Sequence, residues 1–452
     1  MARYIPALTL VVLTAAACVS SAATARAESN LIANGNLETA ASSDVGRPQG
    51  WASNYWGTMS VNFAYPVAGA GGPATRAAQI TVTDYTSGTA QWAFAPVTVT
   101  PGRAYTFSDK YAATVDTKIV ARYKLLKAFR VAGECSPDLD ANYVDCYEVV
   151  SSAVRSSSGF SAFSAVISPP RGSVSLVVVH MLISTGVLTI ADSSLVAGVV
   201  PAVAYPQGIV SLSFDDGYLD QYTNALPILK AAHTHGTFYV IPNDISLPDN
   251  MTPSQILAMQ AADNDIASHA SDHCDLVALY KNPNSATMAG TAGAPGVGCP
   301  DHALSEATTA QTQIANSKAQ LQNMGSAPVN NFAYPFGSYN SAVKQLTKNA
   351  GFLAARTIDQ GYNTKASDPY GLAVQNLDDR TRLSTVQSWI DTAVKNKVWL
   401  ILVFHQIEAD RSKDNDSYAE TPALLRGIVN YLVAKRACVL TVGEVINNAP
   451  CS

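Results

Sequence analysis

The sequence predicts a multidomain chain: an all-β sandwich first, then an α/β domain. Three observations carry that reading. Between residues 28 and 198 short runs alternate polar with apolar residues, and almost nothing repeats with a helical period. From residue 208 onward apolar strand-like runs are separated by helical ones. Between them, residues 199–207 contain Pro201 and Pro206 and read as a linker.

At 452 residues the chain is too long for a single core. Charged residues make up only 14% of it, and Ala, Ser, Thr and Val take their place, which fits a secreted protein rich in sheet. Residues 1–27 read as a signal peptide: Arg3, an apolar run from Ile5 to Val19 too short to span a bilayer, then Ala25-Arg26-Ala27 as a cleavage site. The expected location is therefore secreted or extracellular, with periplasm or cell envelope as variants, and no transmembrane segment is expected. Cleavage removes two arginines and no acidic residue, so the mature chain is more acidic than the −5 of the whole sequence. An acidic chain has no electrostatic case for binding nucleic acid. Besides Cys18, six cysteines remain, and proximity suggests the pairs Cys135–Cys146, Cys274–Cys299 and Cys438–Cys451. A zinc-thiolate site is the rival, but no two of the six lie close enough to form a ligand knuckle.

In the first domain, Gln79–Thr83, Gln91–Val99, Tyr105–Phe107, Lys118–Tyr123, Phe160–Ile167 and Val174–Ile183 read as strands, broken by Pro101-Gly102, Pro169-Pro170 and similar turns. Such spacing implies a two-sheet sandwich. Trp51, Tyr55 and Trp56 fall in a loop-like stretch rich in Ser and Asn. They are the candidates for stacking on sugar rings.

In the second domain strands are expected at 208–214, 236–241, 265–269, 331–336, 352–357, 372–377, 398–405 and 437–441. Helices are expected near 219–232, 253–262, 305–324, 340–349, 384–396 and 421–435. A Gly, Ala and Pro-rich insertion at 281–303 is too poor in large apolar residues to have a core of its own. His233 and His235 precede a strand, on the side away from the motifs below, and read as structural.

Four strand ends carry the chemistry. Ser213-Phe214-Asp215-Asp216-Gly217 sets two carboxylates side by side, a conflict of charge that a cation would settle. His269-Ala270-Ser271-Asp272-His273 places two imidazoles four apart, a spacing that on a helical turn puts both on one face. Zinc proteases use that spacing with a glutamate after the first histidine, and Ala270 stands there, so a general base must come from elsewhere. Asp216, His269 and His273 make a two-histidine, one-carboxylate set of the kind that leaves a position open for catalysis, and Asp215 is then free to act as base. The third strand end is Ala333-Tyr334-Pro335-Phe336-Gly337. The fourth is the apolar run ending at His405.

Residues 205–450 resemble the polysaccharide deacetylases of carbohydrate esterase family four, whose catalytic unit is the NodB homology domain. The resemblance lies in Ser213–Gly217, in His269–His273 followed by Asp275-Leu276, and in the Leu402–His405 strand end. It implies a distorted (β/α) barrel of about seven strands over 208–452. It also implies Asp215 as base, Asp216, His269 and His273 as metal ligands, His405 as acid, and the backbone N–H of Phe336 as oxyanion donor, with Tyr334, Pro335, Gly337 and Leu402 around the substrate. Two departures stand out. Ala333 occupies the place of the arginine that pairs with the catalytic aspartate, and Arg356 is the candidate substitute. The aspartate that orients the acid has no clean counterpart, with Asp378 or Asp379 the nearest candidates. The first domain resembles jelly-roll carbohydrate-binding modules through its opening Asn30–Glu38, Pro48–Trp51 and its closing Ile190–Leu195.

The expectation is a secreted hydrolase, dependent on a divalent metal with zinc the first choice, that removes acetyl groups from an N- or O-acetylated polysaccharide. Chitin-like polymers, peptidoglycan, poly-N-acetylglucosamine and acetylxylan are the substrate classes. The alternatives are a catalytically degenerate glycan-binding protein, favoured by Ala333 and the missing orienting aspartate, and an acetylxylan-type esterase.

Overall fold

The structure, a computed structural model, describes residues 29–129, 135–136, 142–154, 159–199, 203–281, 299, 308–408 and 418–451. The signal segment, most of the 281–303 insertion and linker residues 200–202 lie outside the described residues.

The first half begins with a small antiparallel pair, β1 (Ala40–Ala41) and β2 (Asp44–Pro48). Then come β3 (Trp51–Gly69), β4 (Gly72–Phe94), β5 (Val97–Thr98), β6 (Tyr105–Ala113), β7 (Thr117–Leu126), β8 (Tyr143–Val154), β9 (Ser161–Ile167), β10 (Ser173–Leu182) and β11 (Gly186–Ala197). They are joined antiparallel in the order β8-β7-β10-β4-β11-β6-β9, with β3 on β4 and β5 on β10. The long β4 joins the two layers: Ala78–Val82 pair with β11, and Ala90–Trp92 pair with β10. Between the layers lies an apolar core that includes Ile80, Trp92, Phe107, Tyr123, Leu176 and Leu188. This is the expected sandwich.

The second half is a barrel. Its strands are β12 (Ile209–Phe214), β13 (Thr237–Val240), β14 (Asp265–Ser268), β15 (Asn331–Ala333), β16 (Ala354–Gln360), β17 (Leu372–Asn376) and β18 (Trp399–Phe404). They run parallel in that cyclic order, and a β12–β13 pairing closes the ring. A short β19 (Cys438–Val439) is appended to the start of β12. Around the ring lie α1 (Leu226–Ala231), α2 (Pro253–Gln260), α3 (Leu276–Lys281), α4 (Ala310–Met324), α5 (Ser341–Asn349), α6 (Leu383–Asn396), α7 (Pro422–Lys435) and α8 (Val442–Ile446).

Strand parity divides the barrel into two apolar layers. Val210, Leu212 and Phe214 share a cluster with Leu229 of α1, Ile390 of α6 and Ile428 of α7, so they face the helices. Ile209, Ala354, Val374, Trp399, Ile401 and Val403 form a separate interior cluster. Because successive side chains alternate faces, the residues that continue the interior rows point into the mouth of the barrel. Those are Asp215, His269, Arg356 and His405.

Sandwich and barrel are packed together. Ala104 and Val166 of the sandwich belong to the barrel's outer core cluster, and Val166 forms a β-bridge with Tyr362. Around them is a buried polar contact: Asp359 accepts from Ser152 N at 3.0 Å, Ser152 Oγ at 2.8 Å and Tyr339 Oη at 2.6 Å. Beside it Asp116 accepts from the Ser341 hydroxyl at 2.7 Å and from its N–H, at the start of α5. These contacts lie after β15 and along β16, at the same end of the barrel as the mouth.

The differences from the sequence reading that bear on the site and the module are three. Residues 51–69 form a strand, where a loop is expected, and β8 is an additional strand. The stretch around 219–232 opens with a π-helical turn, Gln221–Ala225, before α1. Third, His269–His273 is no helical turn: it is a loop in which Ala270 and His273 have φ of 62° and 50°. The three expected disulfides are all formed, and Cys274–Cys299 fastens that loop to Cys299.

Candidate metal and catalytic site

Asp215 continues β12 by one ladder bond, its N–H donating to Phe404 O at 2.9 Å, and then the chain turns sharply. Asp216 takes the left-handed conformation, φ 71°, and Gly217 follows at φ 76°. The turn throws Asp216 over the mouth while Asp215 stays inside. Asp216, Ala270, His273 and Phe336 all have positive φ, and each such residue costs about 1–3 kcal/mol. Their surroundings over-determine them. In the histidine loop, Asp272 accepts from Asn243 at 2.5 Å and from Gln313 at 2.6 Å, and Asp275 accepts from Ser338 at 2.7 Å.

Asp216, His269 and His273 each point one ligand atom at a common space, with the three atoms within 4.8 Å of one another. His269 Nε2 is 3.5 Å and His273 Nε2 3.8 Å from Asp216 Oδ1, too far for good hydrogen bonds and well placed for a shared cation. Two further observations fit an ion. Asp216 Oδ1 is buried with no hydrogen-bond partner among the described residues. His269 uses Nδ1 to donate to Ala333 O at 2.9 Å, which fixes the tautomer and leaves the Nε2 lone pair facing the space. Burial pushes the His269 imidazole down to about 3, against the pull of Asp215, so the ring stays in its neutral, ligating form. Burial also pushes the Asp216 carboxyl up, and the charge of Asp215 adds to that. A cation there would pull the Asp216 carboxyl back down and hold the His269 ring all the more firmly unprotonated.

Asp215 is buried and forms a close ion pair with the guanidinium of Arg356, itself 1% exposed. Burial alone would raise the Asp215 carboxyl, but the charge of Arg356, with His269 and His405, outweighs it and holds the group below its ordinary value. The substitution of position has a simple geometric basis. Ala333 on β15 and Arg356 on β16 are register partners, both on interior rows, so a cation from the neighbouring strand reaches the same space. The Arg356 guanidinium lies over the buried Tyr239 ring at 4.7 Å.

His405 Nε2 is 3.7 Å from Asp215 Oδ2, and its ring lies 5.1 Å from that of Tyr418. Its Nδ1 is buried and has no hydrogen-bond partner among the described residues. Asp378 does not orient it: that carboxylate is taken by Arg380 and Thr381, in a turn of its own. Asp379 pairs with Arg380 as well.

The remaining candidates divide. Pro335-Phe336-Gly337 form a tight turn whose Phe336 ring packs 4.4 Å from His273, and a Cβ on Gly337 would collide with Ile358. Tyr334 is fully buried, with its hydroxyl on Tyr370 O, and Leu402 faces the helix layer, so neither side chain lines the mouth. In the sandwich Trp51 is 3% exposed, edge-on to Phe94, while Tyr55 and Trp56 are 51% and 64% exposed on β3. Only the latter two offer a ring face. Sequence reasoning missed Gln221, whose side chain touches the backbone of both Asp215 and His405.

Residues 202–355 match the sequence profile of a family described as polysaccharide deacetylase. By that match, residues 202–355 carry a polysaccharide deacetylase domain. A curated relative, YxkH of Bacillus subtilis (strain 168), whose name places it among the polysaccharide deacetylases, is 25% identical over 163 residues, 36% of this chain and 49% of YxkH. The chain thus spans about half the length of that relative. Among solved structures, peptidoglycan deacetylase PdaC from Bacillus subtilis is similar at 16% identity, 54% of this chain, 93% of that one and a TM-score of 0.34. The Xyl-CE4 domain of a multidomain xylanase from the hindgut metagenome of Trinervitermes trinervoides is similar at 17% identity, 54% of this chain, 91% of that one and the same TM-score of 0.34. The polysaccharide deacetylase match ends at residue 355, just short of Arg356, and His405 lies well beyond it.

Proposed function

We propose that the protein is a secreted, metal-dependent hydrolase that removes acetyl groups from a polysaccharide. The observation that supports this most is the convergence at one barrel mouth of Asp216, His269 and His273 with an arginine-held Asp215 and with His405. Asp216, His269 and His273 are the ligand set, with zinc the first choice for two imidazoles and a carboxylate. A divalent ion held there supplies Lewis acidity toward the acetyl carbonyl and makes water a competent nucleophile near neutral pH.

The chain's own groups do the rest. Asp215, kept ionised by Arg356, takes a proton from the water as its oxygen bonds to the acetyl carbon. The backbone N–H of Phe336 is the candidate donor to the developing oxyanion. His405 gives a proton to the departing nitrogen or oxygen as the C–N or C–O bond breaks, and acetate leaves with an amine or alcohol. The roles of Tyr334 and Leu402 are confined to holding the backbone of the turn and of β18.

Export is supported by three disulfides, which persist in oxidising compartments. Among the described residues no helix is long and apolar enough to cross a membrane. The boundaries 28–198 for a glycan-binding module and 208–452 for the catalytic domain belong to the same proposal, with Tyr55 and Trp56 as the module's stacking residues. The degenerate-domain alternative rested on Ala333 and on the missing orienting aspartate: Arg356 answers the first, and the second stands, since Asp378 and Asp379 are engaged elsewhere. The test is acetate release from chitin oligomers, peptidoglycan, poly-N-acetylglucosamine and acetylxylan, with metal-stripped protein as control. Metal-dependent release from one of them is expected. No release from any, with the metal bound, would sink the proposal.

A further inference from the structure

Among the described residues His405 has no carboxylate that would orient it through Nδ1, yet a general acid must be held to within fractions of an ångström. The structure offers a different restraint. On the π-helical turn Gln221–Ala225 and the residue before it, three polar side chains grip the backbone around His405. Gln221 Nε2 donates to Asp215 O and, at 3.1 Å, to His405 O. Asp220 Oδ2 accepts from Ile407 N at 2.8 Å, and Asn224 Nδ2 donates to Ile407 O at 2.7 Å.

We infer that Gln221, with Asp220 and Asn224, is a positioning clamp that sets the acid His405 against the base Asp215 through their main chains. The inference rests on the roles proposed above for those two residues. The physical need is clear. β12 and β18 are paired up to Phe214 and Phe404, and the bond from Asp215 N to Phe404 O is the last of that ladder. Beyond it, among the described residues, the carbonyls of Asp215 and His405 accept no backbone N–H, so the ladder itself does not tie the strands together where the chemistry sits. A primary amide carries two N–H donors on one nitrogen, so Gln221 bonds both carbonyls at once and continues the pairing by a side chain. Gln221 is fully buried, and its Oε1 has no partner among the described residues. A buried acceptor left in that state weighs against stability, and it marks a side chain retained for what its donors do. The π turn is part of the device, since such single turns, rare in helices, recur at functional sites.

Full-length, zinc-loaded protein with Gln221→Leu tests the clamp. A misplaced acid matters most when the leaving group needs a proton, and little when it leaves as a stable anion. On an N-acetylglucosamine oligomer, kcat should fall about tenfold to a hundredfold with KM within about twofold. On 4-nitrophenyl acetate the variant should stay within about threefold of the unmodified protein. Hydrogen–deuterium exchange should accelerate in the peptide spanning 404–408 and not in that spanning 269–273, at an unchanged one ion per chain. Should Gln221→Leu not fold, Asn224→Ala, half-buried and losing only the Ile407 contact, should show the same selectivity at about threefold. Equal loss on both substrates, or unaltered exchange at 404–408, overturns the clamp. If the unmodified protein releases acetate from nothing, the functional proposal fails instead, and the exchange measurement alone decides the clamp.

Discussion

Among the described residues the chain buries two histidine–aspartate constellations, one in the sandwich and one in the barrel, and their geometry differs. In the sandwich His180 Nδ1 meets Asp109 Oδ2 at 2.8 Å and His180 Nε2 meets Thr117 Oγ1 at 2.6 Å, with the ring 4.8 Å from Tyr111. Both ring nitrogens are consumed. In the barrel the corresponding distances are 3.5 Å from His269 to Asp216, 3.8 Å from His273 to Asp216 and 3.7 Å from His405 to Asp215. Those groups are held apart around a common space by bonds made elsewhere, such as His269 Nδ1 to Ala333 O. Residue types alone would rank the two sites alike. What separates structure from chemistry is whether the polar atoms satisfy each other or are fixed facing something not yet there.

The largest effect expected from that contrast is on metal removal. Chelation should abolish acetate release and zinc restore it, and His269→Ala and His273→Ala should each lose the ion, measured as metal per chain. Full activity after chelation would erase the distinction between the two sites. Next in size, Asp215→Asn should keep the ion and lose about a hundredfold to ten-thousandfold in kcat, the contribution of a positioned base. Asp216→Asn should instead empty the site, because an amide oxygen is a poorer donor than a carboxylate. The reverse pattern of metal contents would exchange the two roles.

A smaller and more diagnostic change is expected in the pH profile of Arg356→Ala. Burial raises the Asp215 carboxyl, and Arg356 is the main influence that brings it down. In the proposed mechanism the base acts only when deprotonated, so the acid limb of kcat/KM should move to higher pH when the guanidinium is removed. Metal content should not change. An unmoved limb would mean that the ion pair is structural, like the contacts of His180.

How far the sequence led depends on how much of each signal is local. Strands buried on both faces, such as Ile209–Phe214 and Trp399–Phe404, announce themselves as apolar runs, and the motifs at their ends follow. Arg356 was legible as a substitute because it ends the next such run. The strand β3 was not legible: residues 52–58 are exposed throughout, so no period of two appears in their hydrophobicity, and Ser, Asn and Gly there suggest a loop. The spacing of His269 and His273 fits a helical turn as well as a loop, and only the left-handed Ala270 and His273 decide between them. Gln221 carried no signal, since its partners are main-chain carbonyls, and its segment reads as an ordinary amphipathic helix.

The contrast also runs within the sandwich, between Trp51, buried against Phe94, and Trp56, exposed on the same strand. Removing one stacking ring should weaken binding of the full-length protein to an insoluble polysaccharide by about threefold to tenfold, on the scale of a partly exposed aromatic contact. Trp56→Ala and Tyr55→Ala should therefore raise Kd in a pull-down isotherm without moving Tm. Trp51→Ala should do the opposite, lowering Tm through a lost core side chain. Loss of binding only with Trp51→Ala would make the sandwich a spacer whose fold, not its surface, matters.

The smallest effect on turnover is expected at the sandwich histidine, and it is the direct control on the opening contrast. His180→Ala removes the partner of Asp109 Oδ2 and of Thr117 Oγ1, while Thr117 keeps its bond to Val154 O at 2.6 Å. Asp109 Oδ1 already lacks a partner among the described residues, so the variant leaves a buried carboxylate with neither oxygen bonded by a side chain described there. The cost should be about 1–3 kcal/mol of stability, the penalty for stranding a buried polar group, read as a lower denaturant midpoint. Replacing both partners with apolar residues, His180→Leu with Asp109→Leu, should recover part of that loss, since an unbonded pair removed together strands nothing. Through all of this kcat should stay within about twofold at temperatures where the protein is folded, because no atom of this group reaches the barrel mouth. A large fall in kcat at full folding would show that a closed hydrogen-bonded histidine can still serve the chemistry, and the geometric criterion that separates the two sites would fail.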